Sequence, residues 1–119
     1  MRILAVDDSK LIVSMLKNVL SGCGYVVDVA FDGKQALDLA LMYSYDLAIT
    51  DINMPVMNGI ELARFLRVTA VYADTPILFL TTEIEEKSRI PENVIKKPTR
   101  WLTKPFNPHS LLDAILQAL

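Results

Sequence analysis

The chain has 119 residues, 52% of them apolar and 22% charged, which suits a single domain, residues 1–119, with a real core rather than a disordered polymer. The net charge is −2 with no basic run, which argues against direct binding of nucleic acid, and no apolar stretch approaches the roughly 20 residues that span a bilayer. Met1-Arg2 leads at once into a strand-like run ending in acids, unlike a signal peptide, and the lone Cys23 excludes an internal disulfide, so a reducing, cytoplasmic compartment is expected.

Short apolar runs alternate with amphipathic stretches along the whole chain. Residues 2–6 read as a strand. Residues 9–21 carry Leu11, Ile12, Met15, Leu16, Val19 and Leu20 at helical spacing, with Gly22 or Gly24 available to end the helix. Residues 25–30 are β-branched and read as a second strand, and Asp32-Gly33 opens a helix with Ala36, Leu37, Leu39, Ala40 and Leu41. Residues 46–50 form a third strand. Pro55 and Gly59 bracket a loop, residues 59–68 form a helix, and Pro76 opens a strand over 76–80. Residues 100–103 form a short last strand, and Asn107-Pro108 starts the last helix with Asn as N-cap and Pro at the first helical position. Five strands alternating with five helices predict an α/β fold with a mainly parallel, doubly wound sheet.

The strand ends carry the chemistry. Ile3-Leu4-Ala5-Val6 ends on Asp7-Asp8, Leu47-Ala48-Ile49-Thr50 on Asp51, Ile77-Leu78-Phe79-Leu80 on Thr81, and Trp101-Leu102-Thr103 on Lys104. In parallel strands these ends share one edge of the sheet, where doubly wound folds place their functional site. Adjacent carboxylates at the end of a buried strand repel each other and are costly to desolvate. A hard divalent cation such as Mg²⁺ offsets that cost and accepts phosphate oxygens. A carboxylate on a separate strand can then act as a nucleophile toward phosphorus, with a lysine and a hydroxyl facing the remaining oxygens.

Val6-Asp7-Asp8-Ser9, the block Thr50-Asp51-Ile52-Asn53-Met54-Pro55-Val56-Met57-Asn58-Gly59, Leu80-Thr81-Thr82 and Thr103-Lys104-Pro105-Phe106 resemble the CheY-like response-regulator receiver domain of two-component signalling. The resemblance covers nearly the whole chain and implies a flavodoxin-like, five-stranded parallel sheet of order 2-1-3-4-5. It implies that Asp51 is the phosphoacceptor. Asp8 would be a direct Mg²⁺ ligand, with Asp7 acting largely through water and Asp51 and the Asn53 backbone carbonyl completing the set. It further implies Thr81 as the switch hydroxyl, Trp101 as the aromatic switch, Lys104 as the phosphate-binding lysine, a cis Lys104–Pro105 bond, and Asn53 and Glu83 as tuners of phosphoryl lifetime. A sensor histidine kinase or phosphotransfer protein would donate the phosphoryl group. The fourth helix, fifth strand and fifth helix would signal to a downstream protein, in a chain that catalyses at most its own phosphorylation and dephosphorylation.

The stretch from Glu83 to Arg100 departs from the family pattern. It holds Pro91 and Pro98 and lacks glycine, and a proline inside a helix costs about 3 kcal/mol or more. The expectation is a shortened fourth helix starting near Pro91, with residues 83–89 as a loop. A haloacid-dehalogenase-type phosphatase would also use Asp, Thr, Lys and Mg²⁺. It wants a second aspartate two residues after the nucleophile, where this chain has Asn53. A flavin or dinucleotide carrier is disfavoured by the lack of any Gly-x-Gly-x-x-Gly.

Overall fold

The computed structural model describes residues 1–82, 90, 91, 94 and 99–119. Five strands, β1 (Arg2–Val6), β2 (Val26–Ala30), β3 (Leu47–Asp51), β4 (Ile77–Thr81) and β5 (Thr99–Thr103), form one parallel sheet in the order β2-β1-β3-β4-β5. Among the described residues there are four α-helices: α1 (Lys10–Gly22), α2 (Gly33–Met42), α3 (Gly59–Val68) and α4 (Pro108–Ala118). The loop expected over residues 83–89 lies outside the described residues, as do residues 92–93 and 95–98 of the short helix expected from Pro91.

The sheet is covered on both faces, which is why β3 and β4 are buried at every position and read as continuous apolar runs. On one face Leu4, Val6, Ala48 and Phe79 pack with Ala36 and Ala40 of α2 and Leu62, Ala63 and Leu66 of α3; Ile90 and Val94 join this core. On the other face Ile3, Ala5, Leu78 and Leu102 pack with Leu16 and Leu20 of α1 and Leu111 and Ile115 of α4.

Local chemistry sets the helix ends. Ser9 Oγ accepts from Ile12 N–H at the start of α1 and Asp32 caps α2 through Gln35 N–H. Asn58 and Glu61 form a reciprocal capping box on α3. Helix α1 ends on Gly24, whose φ of 90° is the left-handed cap conformation, with Gly24 N–H donating to Ser21 O and Tyr25 N–H to Leu20 O. Gly22, the alternative stop, stays inside the helix.

Two features escape the sequence pattern. A turn of 3₁₀ helix spans Ala70–Tyr72, and Arg67 at the end of α3 is buried. One Arg67 nitrogen donates to the carbonyls of Tyr72, Ala73 and Thr75, drawing the connection to β4 around the guanidinium.

Candidate functional site

Strand register brings the site together. Val6 pairs with Thr50, so Asp7 and Asp51 emerge side by side from β1 and β3. Asp51 pairs with Leu80, which places Thr81 one step beyond it, and Thr81 pairs with Thr103, the residue before Lys104. Carboxylate oxygens of Asp7, Asp8 and Asp51 all lie within 4.8 Å of one another. Asp7 is fully buried, Asp51 is 8% exposed, and Asp8 faces solvent.

Each acid is held differently. Asp7 Oδ1 accepts from Ser9 N–H at 2.9 Å, tying the carboxylate to the turn that starts α1. Its Oδ2 lies 2.7 Å from Lys104 Nζ in an ion pair without aligned hydrogen-bond geometry, and has no other hydrogen-bond partner. Asp51 Oδ1 accepts from Ile52 N–H at 2.9 Å and lies 3.4 Å from Lys104 Nζ. Burial raises the Asp51 pKa, the neighbouring Asp7 charge adds to it, and Lys104 and Ile52 N–H only partly offset them, leaving it at about 6. Burial pulls the Lys104 ammonium toward the neutral form, but the two acids outweigh it and its pKa ends up raised.

Lys104 owes its place to β5 and the turn after it. Its N–H donates to Thr81 O at 2.8 Å, continuing the β4–β5 ladder, and the Lys104–Pro105 peptide is cis. Thr81 is buried at the end of β4. Trp101, half-buried on β5, stacks on Phe79 of β4 with ring centroids 5.6 Å apart and planes 25° from parallel. Asn53 is exposed in the loop after β3. Glu83 lies outside the described residues.

Close backbone packing surrounds Asp51. A Cβ on Gly59 would stand 2.0 Å from the Asp51 carbonyl oxygen, so only glycine lets α3 begin this close to β3. Gly33 N–H donates to Met57 O at 2.9 Å, joining α2 to the loop between β3 and α3. Sequence reasoning sees Asp32-Gly33 as a helix start, but nothing in the periodicity marks its contact with Met57.

An all-oxygen cluster of acids, one of them fully buried, with an ammonium beside it at the carboxyl edge of a 2-1-3-4-5 sheet, defines a doubly wound domain with a cation- and phosphate-compatible site. The response regulator receiver domain family matches residues 3–116. Chemotaxis response regulator CheY4 of Vibrio cholerae superposes with a TM-score of 0.90 at 43% identity, covering 99% of this chain and 98% of its own. Response regulator TrrA of Thermotoga maritima, solved in complex with Mg(2+)-BeF, superposes with a TM-score of 0.84 at 33% identity, covering 99% and 98%. Transcriptional regulatory protein CpxR of Escherichia coli is 40% identical over 114 residues, 96% of this chain and 47% of CpxR. The chain spans about half the length of the curated relatives it matches. It belongs to the response regulator receiver domain family, the phosphorylation-dependent switches of two-component signalling. Among the described residues, no helix is long and apolar enough to cross a membrane.

Proposed function

We propose that Asp51 takes a phosphoryl group from a sensor histidine kinase or a phosphotransfer protein in a Mg²⁺-dependent reaction, and that residues 1–119 act as one receiver unit in the cytoplasm. The observation that carries this reading is the gathering of Asp7, Asp8 and Asp51 within 4.8 Å, with the Lys104 ammonium between Asp7 and Asp51.

The donor set fits a hard divalent cation: it is all oxygen, and Asp7 Oδ2 is buried with only the ammonium beside it. Asp8 would bind directly, Asp7 largely through water, and Asp51 with the Asn53 carbonyl would complete the protein ligands. When bound, the ion supplies charge neutralisation and a template for phosphoryl oxygens. An Asp51 carboxylate oxygen bonds to phosphorus while the bond from phosphorus to the donor nitrogen breaks, and that nitrogen keeps the electron pair. Lys104 and the Thr81 hydroxyl meet the equatorial oxygens, where charge accumulates. Thr81 then shifts toward the phosphoryl group, and Trp101 follows inward. The face around β5 and α4 passes the change to a downstream protein, without direct contact to nucleic acid or membrane from this domain. The Asn53 side chain and Glu83 order the water that hydrolyses the acyl phosphate.

The test is incubation with a small acyl-phosphate donor and Mg²⁺, followed by intact mass and Trp101 fluorescence. Wild type is expected to gain one phosphoryl group and change its fluorescence, both lost with chelator and in Asp51→Asn. An unmodified wild type would overturn the reading.

A further inference from the structure

We propose that Gly33 is a positioning residue for the metal site, because its contact with Met57 fixes the loop that carries Asn53. The inference rests on the reading above, in which the Asn53 carbonyl is a Mg²⁺ ligand.

The loop of residues 52–58 is pinned at both ends. At its neck Gly59 N–H donates to Ile52 O at 2.8 Å. Near its far end Gly33 N–H donates to Met57 O at 2.9 Å. The first N–H groups of a helix have no partner inside it, so Gly33 spends an otherwise orphaned donor on the loop. The contact is also tight: a Cβ on Gly33 would stand 2.5 Å from Met57 O, 2.8 Å from Met57 Cγ and 2.9 Å from Met57 Cβ.

Between the two pins the backbone is strained. Val56 has φ of 69°, unfavourable for a β-branched residue, and closes a three-residue turn in which Met57 N–H donates to Pro55 O at 2.8 Å. Such a conformation persists only where the surroundings impose it. Val56 itself is 81% exposed and has little packing to hold it. Burial of Ile52, packing of Met54 and Met57 on the α2–α3 core, and the Gly33 contact impose it instead. Asn53 sits between the pin at Ile52 and the pin at Met57, so the direction of its carbonyl depends on both.

Gly33→Ala separates this role from a local one. Gly33 is the first residue of α2 and its φ is not positive, so helix propensity alone favours alanine. The obstructing atom is a backbone oxygen, however, and the loop must move off α2 to admit the methyl group. Supporting groups behind metal ligands characteristically change affinity by about 10–100-fold, so the Mg²⁺ dissociation constant of Gly33→Ala, measured by calorimetric titration of the metal-free protein, should rise about tenfold. Gly22→Ala, where the new Cβ meets nothing within 4 Å, should bind Mg²⁺ as wild type does. A folded Gly33→Ala with the wild-type dissociation constant would overturn the proposal. Should that variant not fold, the wild type decides: linkage is reciprocal, so Mg²⁺ should slow hydrogen exchange at the Gly33 amide, and unchanged exchange would overturn the proposal. A wild type that takes up no Mg²⁺ would instead overturn the metal reading, and this inference with it.

Discussion

Lys104 Nζ lies 2.7 Å from Oδ2 of the fully buried Asp7, one of three acids whose carboxylate oxygens lie within 4.8 Å of one another. Removing one partner of a buried ion pair leaves the other charge uncompensated, which costs about 3–5 kcal/mol. Lys104→Met should therefore lower stability in chelator by about 3 kcal/mol, read by urea unfolding. On the proposed reading, bound Mg²⁺ would restore positive charge beside Asp7, so saturating Mg²⁺ should recover at least half of the deficit. The variant should also bind Mg²⁺ more tightly, since the ammonium no longer competes for the carboxylates. An equal deficit with and without Mg²⁺ would separate Lys104 from the metal site.

Asp51 gives the metal-free protein a pH dependence of defined sign. Its pKa rises from the ordinary 3.8 to about 6 on folding, so between those values the folded state holds the proton more tightly than the unfolded state. Stability from this group is full below pH 3.8 and falls as pH rises through 6. At 1.36 kcal/mol per pKa unit, the loss is about 3 kcal/mol. Asp51→Asn does not titrate, so its stability relative to wild type should climb between pH 4 and pH 7 in chelator. On the proposed reading, bound Mg²⁺ would stabilise the ionised carboxylate and should flatten the wild-type slope. Parallel curves for the two proteins would contradict the raised pKa.

The alternation of strands and helices can be read from the sequence because the sheet is covered on both sides, so its central strands stand out as unbroken apolar runs. The acids at their ends interrupt those runs, and parallel register then brings Asp7 beside Asp51. Ladder pairing extends β3 to Asp51 and β4 to Thr81, each one residue past the predicted strand. Contacts between residues distant in sequence leave no periodic trace. The Gly33–Met57 hydrogen bond, the left-handed Val56 and the burial of Arg67 are all of this kind. The 3₁₀ turn at Ala70–Tyr72 has no glycine or proline to announce it, and forms where Arg67 gathers the carbonyls around it.

Gly59 offers a steric test next to the proposed phosphoacceptor. Its missing Cβ would stand 2.0 Å from the Asp51 carbonyl oxygen and 3.0 Å from the Asp51 carbonyl carbon. Relief requires moving either β3 or the start of α3, both tied into the core. Overpacking of this type costs about 1–3 kcal/mol, and Gly59→Ala is expected at the upper end, with phosphorylation slowed more than tenfold as Asp51 shifts. Gly22→Ala, in open space and in a helix, should be neutral or stabilising by up to about 1 kcal/mol. Thermal unfolding of the pair checks the contrast. Equal stabilities would mean that the α3 start yields without cost.

Arg67 makes a prediction far from the acids. Its guanidinium is buried, donates to the carbonyls of Tyr72, Ala73 and Thr75, and reaches Thr99 Oγ1 at 3.5 Å. Thr99 in turn donates to Val94 O at 2.9 Å, so one side chain joins α3, the approach to β4 and the start of β5. Burial disfavours its charge and lowers its pKa, with Asp74 partly offsetting the cost. Arg67→Met keeps much of the apolar stem but takes the donor from the part-buried carbonyls of Ala73 and Thr75, at about 1–3 kcal/mol for each group left unsatisfied, while Tyr72 O keeps Thr75 N–H. Arg67→Lys presents a point charge where a planar fork bridges several acceptors, so it should recover only part of the loss. We expect Arg67→Met to be destabilised by about 3 kcal/mol and Arg67→Lys by about 2 kcal/mol in urea unfolding. Mg²⁺ affinity should be unchanged in both, because the network touches none of the acids. Full rescue by lysine would show that charge alone, rather than the fork, holds this part of the fold.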